Sequence, residues 1–156
     1  MSPQALRIAD AARREPVRDL SGVWLADIAA STFRGGGPAA LRVTIWHADP
    51  SLQADFLALG EDGTDDRAAF ACRTTGEEWN STVNGNAIRG LARWDEGELI
   101  LESWVRSGGR EMYLCDCWSL SDDEQSLVME HRNDVLAGQR VVLHRIPHKF
   151  GPSRSA

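Results

Sequence analysis

From Asp19 onward the apolar residues recur at every second position, in short runs separated by turn formers. A period of two is that of a strand with one buried face. The runs cover 20–28, 41–48, 52–59, 67–74, 86–94, 98–106, 110–120, 126–132 and 139–146, and 77–85 is a further candidate strand. Ahead of them, residues 3–15 (PQALRIADAARRE) have helical spacing, with Ser2 as cap, Pro3 in the first turn and Leu6, Ile8, Ala9 and Ala12 on one side. Pro16 ends that helix. Eight to ten short strands with no helical run between them predict an all-β antiparallel meander that closes into a barrel or folds into a sandwich.

The turns set register, and register decides which side chains share a face. Glu96-Gly97 pairs Trp94 with Leu99, Ala92 with Leu101, Gly90 with Ser103 and Ile88 with Val105. Gly108-Gly109 then places Leu101 against Asp116 and Leu99 against Trp118. A four-residue turn, Asp122 to Gln125, pairs Trp118 with Met129 and Asp116 with His131. An acid and an imidazole thus meet on an otherwise apolar face. Earlier in the chain a Pro50-Ser51 turn would match His47 with Ala54, Ile45 with Phe56 and Val43 with Ala58, which makes His47 a third inward polar residue. Residues 29–40 (AASTFRGGGPAA) are expected to be a flexible connection, and 60–66 (GEDGTDD) a solvated turn without EF-hand spacing.

The chain has 156 residues, enough for one domain with a full core, and hence for a single site. A formal net charge of −6 without a basic stripe disfavours nucleic acid as a partner. No apolar run is long enough for a membrane-spanning helix and no secretory signal pattern opens the chain, so a cytoplasmic protein with no membrane partner is expected. Cys72, Cys115 and Cys117 are odd in number, and Cys115 and Cys117 project from one face of one strand, a poor geometry for a disulfide. Reduced thiols are expected. No second Cys or His pair stands at zinc spacing, and Walker, Rossmann and Gly-x-Ser-x-Gly patterns are missing, so neither metal nor cofactor is expected.

Gly22-Val23-Trp24 on the first strand, after a short helix, resembles the opening of the calycin superfamily, which includes lipocalins, fatty-acid-binding proteins and avidins. Arg145 on the last strand adds to the resemblance, because a late arginine packs across the first-strand tryptophan at the closed end of such barrels. The resemblance implies a closed antiparallel up-and-down β-barrel of lipocalin-like type, with a helix in 1–17, the barrel in 18–146 and a disordered tail in 147–156. The Thr-Asp-Tyr motif of lipocalins is missing, and the twelve residues before Leu41 cannot supply the two-helix lid of fatty-acid-binding proteins. The relation implied is to intracellular bacterial lipocalin-like barrels, some of which bind small hydrophobic molecules while others are cyclases or isomerases. It transfers no ligand-binding residue.

The candidate chemistry therefore rests on the inward polar groups. Asp116 beside His131 is a neutralising pair for a buried carboxylate, and equally a proton-transfer pair in which the carboxylate orients the imidazole. Trp94 and Trp118 have inward parity and, with His47, Phe56, Leu101 and Met129, would line a cavity for a small, largely apolar aromatic or polycyclic molecule. Trp24 is assigned to the closed end. Binding of such a molecule is the leading expectation, and a metal-independent isomerase or cyclase using Asp116 and His131 is the alternative. His131 or His47 as a haem ligand has nothing specific in its favour. Trp104 and Tyr113 pair on the outer face, a patch for the N-terminal helix, a second copy in a homodimer or another protein partner to cover.

Overall fold

A computed structural model describes residues 17–83, 85–133 and 138–147. Ten strands account for most of it: β1 (Gly22–Ala26), β2 (Ala40–Ala48), β3 (Ser51–Leu59), β4 (Asp65–Arg73), β5 (Trp79–Val83), β6 (Asn86–Asp95), β7 (Glu98–Ser107), β8 (Arg110–Leu120), β9 (Ser126–His131) and β10 (Arg140–Arg145). The helix expected in 3–15 and the tail beyond Pro147 lie outside the described residues.

Every strand is antiparallel to its neighbours, in the order β4-β3-β2-β1-β10-β9-β8-β7-β6-β5. This is an up-and-down meander rolled into a nearly closed barrel, joined where β1 pairs with β10 and interrupted between β4 and β5. The expected closure is therefore complete except at one seam. There, side chains do what the backbone does not: Phe70 of β4 stacks on Trp79 of β5, with ring centroids 5.4 Å apart and planes 14° from parallel.

The turns act as their residues predict. Glu96 and Gly97 both have positive φ (51° and 82°), as do Gly108 and Gly109 (59° and 76°), the pattern of type I′ hairpin turns that match strand twist. They deliver the expected pairs Trp94 with Leu99, Ala92 with Leu101, Leu101 with Asp116, Leu99 with Trp118, Trp118 with Met129 and Asp116 with His131. The β2–β3 hairpin corrects the expectation by two residues. It turns at Asp49-Pro50, so His47 pairs with Leu52, Ile45 with Ala54 and Val43 with Phe56. A shift of two preserves parity, and the inward face is unchanged.

The core is continuous along the barrel axis, with Leu20, Trp24, Val43, Ile45, Leu52, Ala54, Leu99, Leu127 and Leu143 almost wholly buried. Trp24 has no exposed surface, donates its indole N–H to the Leu20 carbonyl (3.1 Å) and carries the Arg145 guanidinium 4.3 Å above its ring. Gly22 makes that stack feasible. Its φ of +144° lies where side chains are strained, and a Cβ there would sit 2.6 Å from the Arg145 Nη1 that bonds to the Ser21 carbonyl. Residues 29–40 are more ordered than expected: Thr32 and Arg140 exchange two backbone hydrogen bonds (2.8 and 2.9 Å), which carries Phe33 over the barrel.

Candidate functional site

The barrel has two ends of different character. At the end holding Trp24, polar side chains satisfy one another. His47 accepts the Leu20 N–H at Nδ1 (3.0 Å), so its proton sits on Nε2 and is donated to Asp49 Oδ1 (3.0 Å). The same oxygen accepts from Thr74 Oγ1 (2.7 Å) and Trp94 Nε1 (2.9 Å), and Trp94 stacks on His47 at 5.7 Å. Burial raises the Asp49 carboxyl, but the hydrogen bonds from His47, Thr74 and Trp94 outweigh it and hold the group below its ordinary range. His47 and Trp94, expected in the cavity, are thus committed to a structural cluster away from it. Their inward parity was right, but their height along the barrel axis put them in the packed end.

The other end is hollow. A cavity of about 280 Å³ opens there, walled by Phe56, Phe70, Trp79, Leu101, Trp118 and Met129, with Phe33 and Leu41 contributed by the segment around β2. Four of the expected ligand-binding residues, Phe56, Leu101, Trp118 and Met129, line it, as do both expected catalytic residues, Asp116 and His131. Ser103 and Gln139 are its other polar side chains.

Asp116 and His131 sit opposite each other on β8 and β9, with Asp116 Oδ1 2.8 Å from His131 Nδ1. Burial raises the Asp116 carboxyl above its ordinary range by more than the hydrogen bond and charge of His131 lower it. The His131 side chain is 2% exposed. A carboxylate accepting from Nδ1–H makes the neutral ring the Nδ1–H tautomer, and Nε2 is buried with no hydrogen-bond partner among the described residues. Trp79 Nε1 is the second buried side-chain polar atom without a partner among the described residues, and Trp79 too is a lining residue of the cavity.

Trp79 is the cavity residue that a strand-by-strand reading underused. The Asn84-Gly85 dipeptide is a hairpin signal that would set Trp79 opposite Gly90, and the two are paired. Gly90 has no side chain to compete with the indole, whose ring occupies the place a Cβ would take. Phe70 and Phe33 were beyond reach, because one belongs to the seam and the other to the connection that folds back.

Elsewhere the polar side chains pair off among themselves. Cys117 donates to Glu98 (2.6 Å), and burial together with that carboxylate pushes its thiol up to about 12; burial alone pushes Cys72 to about 11. Neither is a thiolate at neutral pH. All three cysteines are free. On the outer face Trp104 and Tyr113 pack at 5.2 Å, Arg89 covers the Trp104 ring at 4.4 Å, and the Tyr113 hydroxyl donates to Glu102. Outward His144 bridges Ser126 and Asp27. Among the described residues no helix is long and apolar enough to cross a membrane.

No protein-family model and no curated protein matches the chain. Among solved structures, a point mutant of the fluorescent protein UnaG matches with a TM-score of 0.55 at 15% identity, over 81% of this chain and 96% of that one. The fold is calycin-like. At that identity the likeness is one of architecture, and it fits the elements that opened the resemblance: Gly22 and Trp24 on β1 of the calycin-like barrel, with Arg145 of β10 stacked across the indole.

Proposed function

We propose that this barrel binds a small, largely apolar aromatic or polycyclic molecule in the cavity between Phe56, Trp118 and His131. The observation that carries this reading is an aromatic-walled hollow of about 280 Å³ that has the Asp116–His131 pair among its lining residues. An apolar cavity of roughly 150 Å³ accepts benzene, so the volume suits a molecule of about two rings, at the small end of ligand pockets. Aromatic walls favour a flat occupant, because offset and edge-on ring contacts add to the area buried. Native mass spectrometry of the protein from its own host, followed by extraction, is expected to show a mass increment that releases an aromatic metabolite. A protein that stays unliganded there, and that takes up no two-ring aromatic compound when titrated, would overturn the proposal.

The Asp116–His131 geometry favours a second reading, a metal-independent isomerase or cyclase acting on the same molecule. A carboxylate 2.8 Å from Nδ1, with Nε2 unpartnered among the described residues, is the arrangement of a histidine base or acid, worth about 10²–10⁴-fold in rate when it acts. Asp116→Asn separates the two readings. The amide oxygen still accepts from Nδ1–H, so affinity should change only a few-fold, whereas turnover, if the protein catalyses, should fall by about 10²-fold or more. Undiminished turnover in that variant would remove the proton-transfer role.

A further inference from the structure

The inner face of β6 carries little bulk at its centre. Ile88, Gly90 and Ala92 share that face by parity, and Gly90 stands between Ile88, which lines the hollow, and Ala92, which is wholly buried. Gly90 is itself buried and has no positive φ, so backbone conformation does not call for glycine there. Space does. A Cβ at Gly90 would lie 2.3 Å from Cζ2 and 2.5 Å from Cε2 of Trp79, and 2.9 Å from the Glu102 carbonyl oxygen. The indole therefore rests directly on the main chain of its cross-strand partner. From across the seam Phe70 stacks against the same ring, 5.4 Å away and 14° from parallel. Held between that main chain and Phe70, Trp79 takes its place among the residues that line the cavity.

Building on the proposed ligand-binding role, we infer that Gly90 is a positioning residue that sets ligand size: by lacking a side chain it seats the Trp79 ring against β6, and the width left beside that ring limits the occupant to about two aromatic rings. Interiors are packed too closely to absorb a misplaced methyl without something moving. A side chain at position 90 must lift the indole off the wall. The Phe70 stack closes one direction, so the ring is driven toward the space that it lines, and that space narrows. A smaller ring at position 79 has the opposite effect and widens it. Size selection then resides in two residues facing each other across the β5–β6 hairpin, and it works by shape alone. One methylene in an apolar pocket is worth about 10–200-fold in discrimination, so a single methyl at Gly90 is enough to register.

Uncharged probes of rising size, para-cresol, 2-naphthol and 9-phenanthrol, test this by calorimetric titration of the full chain and its variants. The native protein should bind 2-naphthol about tenfold more tightly than either of the others, because cresol leaves the hollow part-filled and phenanthrol exceeds it. In Gly90→Ala, 2-naphthol should lose about tenfold while para-cresol loses little, so the preference between them vanishes. In Gly90→Ala/Trp79→Phe, where the smaller ring makes room for the methyl, the preference should return. A loss of stability alone would weaken all three probes together and would not be reversed by a second core substitution. Trp79→Phe by itself should gain about tenfold for 9-phenanthrol. That variant leaves Gly90 untouched, so it decides the matter if the Glu102 carbonyl keeps Gly90→Ala from folding. If Gly90→Ala folds with the native preference intact, if the double variant fails to restore that preference, or if Trp79→Phe gains nothing for 9-phenanthrol, this inference falls and the cavity reading stands. If the native protein binds none of the three, both fall together.

Discussion

Replacing Trp24 by alanine should destabilise the barrel by about 3–5 kcal/mol, the range for emptying a large aromatic site in a packed core. Trp24 is wholly buried, so little of the lost contact area can be recovered by solvent. The loss is compounded by two partners. The Leu20 carbonyl, on a residue that is 1% exposed, loses its indole donor, and the Arg145 guanidinium loses a cation–π contact worth about 2 kcal/mol when desolvated. Because the β1–β10 pairing joins the two arms of the sheet, the damage falls where the first and last strands meet. Urea denaturation would show a lower midpoint with an unchanged slope. Trp24→Phe should recover ring burial but not the hydrogen bond, and so fall between the two. A midpoint within experimental scatter of the native value in Trp24→Ala would mean that β1–β10 closure does not depend on this side chain.

Asp49→Ala is the second large effect, for a different reason. The substitution removes one carboxylate but strands three donors, His47 Nε2, Thr74 Oγ1 and Trp94 Nε1. The His47 side chain is 1% exposed and Thr74 is 6% exposed, so at least these two would be left unsatisfied in the core. At about 1–3 kcal/mol for each buried orphan, a total near 3 kcal/mol is expected. Asp49→Asn, which keeps an acceptor oxygen, should cost less. Ligand affinity should be nearly unchanged in both, because the cluster lies at the packed end, away from Asp116 and His131. The penalty should also depend on pH. A carboxyl held below its ordinary range stabilises the fold fully above its unfolded value and loses that contribution as pH falls through the lowered value. The gap between native protein and Asp49→Ala should therefore narrow in acid, and a gap that widens there would contradict the assignment of Asp49 as the charged hub.

The two inward histidines show how far a residue's type and parity can carry an argument. Both have the same side chain on the inward face of a strand and both lie beside a carboxylate, but one belongs to the packed end and the other is among the residues that line the cavity. His47 differs only by its height along the axis, where the Leu20 N–H occupies Nδ1 and Asp49 occupies Nε2, leaving no nitrogen for a ligand. His131 lines the hollow end, and its Nε2 has no hydrogen-bond partner among the described residues.

Strand order, parity and most of the ladder were determined by the chain itself, since a two-residue turn at Glu96-Gly97 or Gly108-Gly109 fixes which residue faces which, and a period of two then propagates that choice along each strand. That is why the sequence alone pairs Asp116 with His131. Tertiary structure alone decided what depends on distance across the barrel rather than along a strand. It chose which end is filled and which is hollow, left β4 and β5 unpaired at the seam, brought Phe33 back over the barrel through Thr32 and Arg140, and left Trp79 Nε1 without a partner among the described residues. Local turn chemistry acts over a few residues, whereas the volume left inside a closed sheet is the sum of all its inward side chains, and no single stretch of sequence contains that sum.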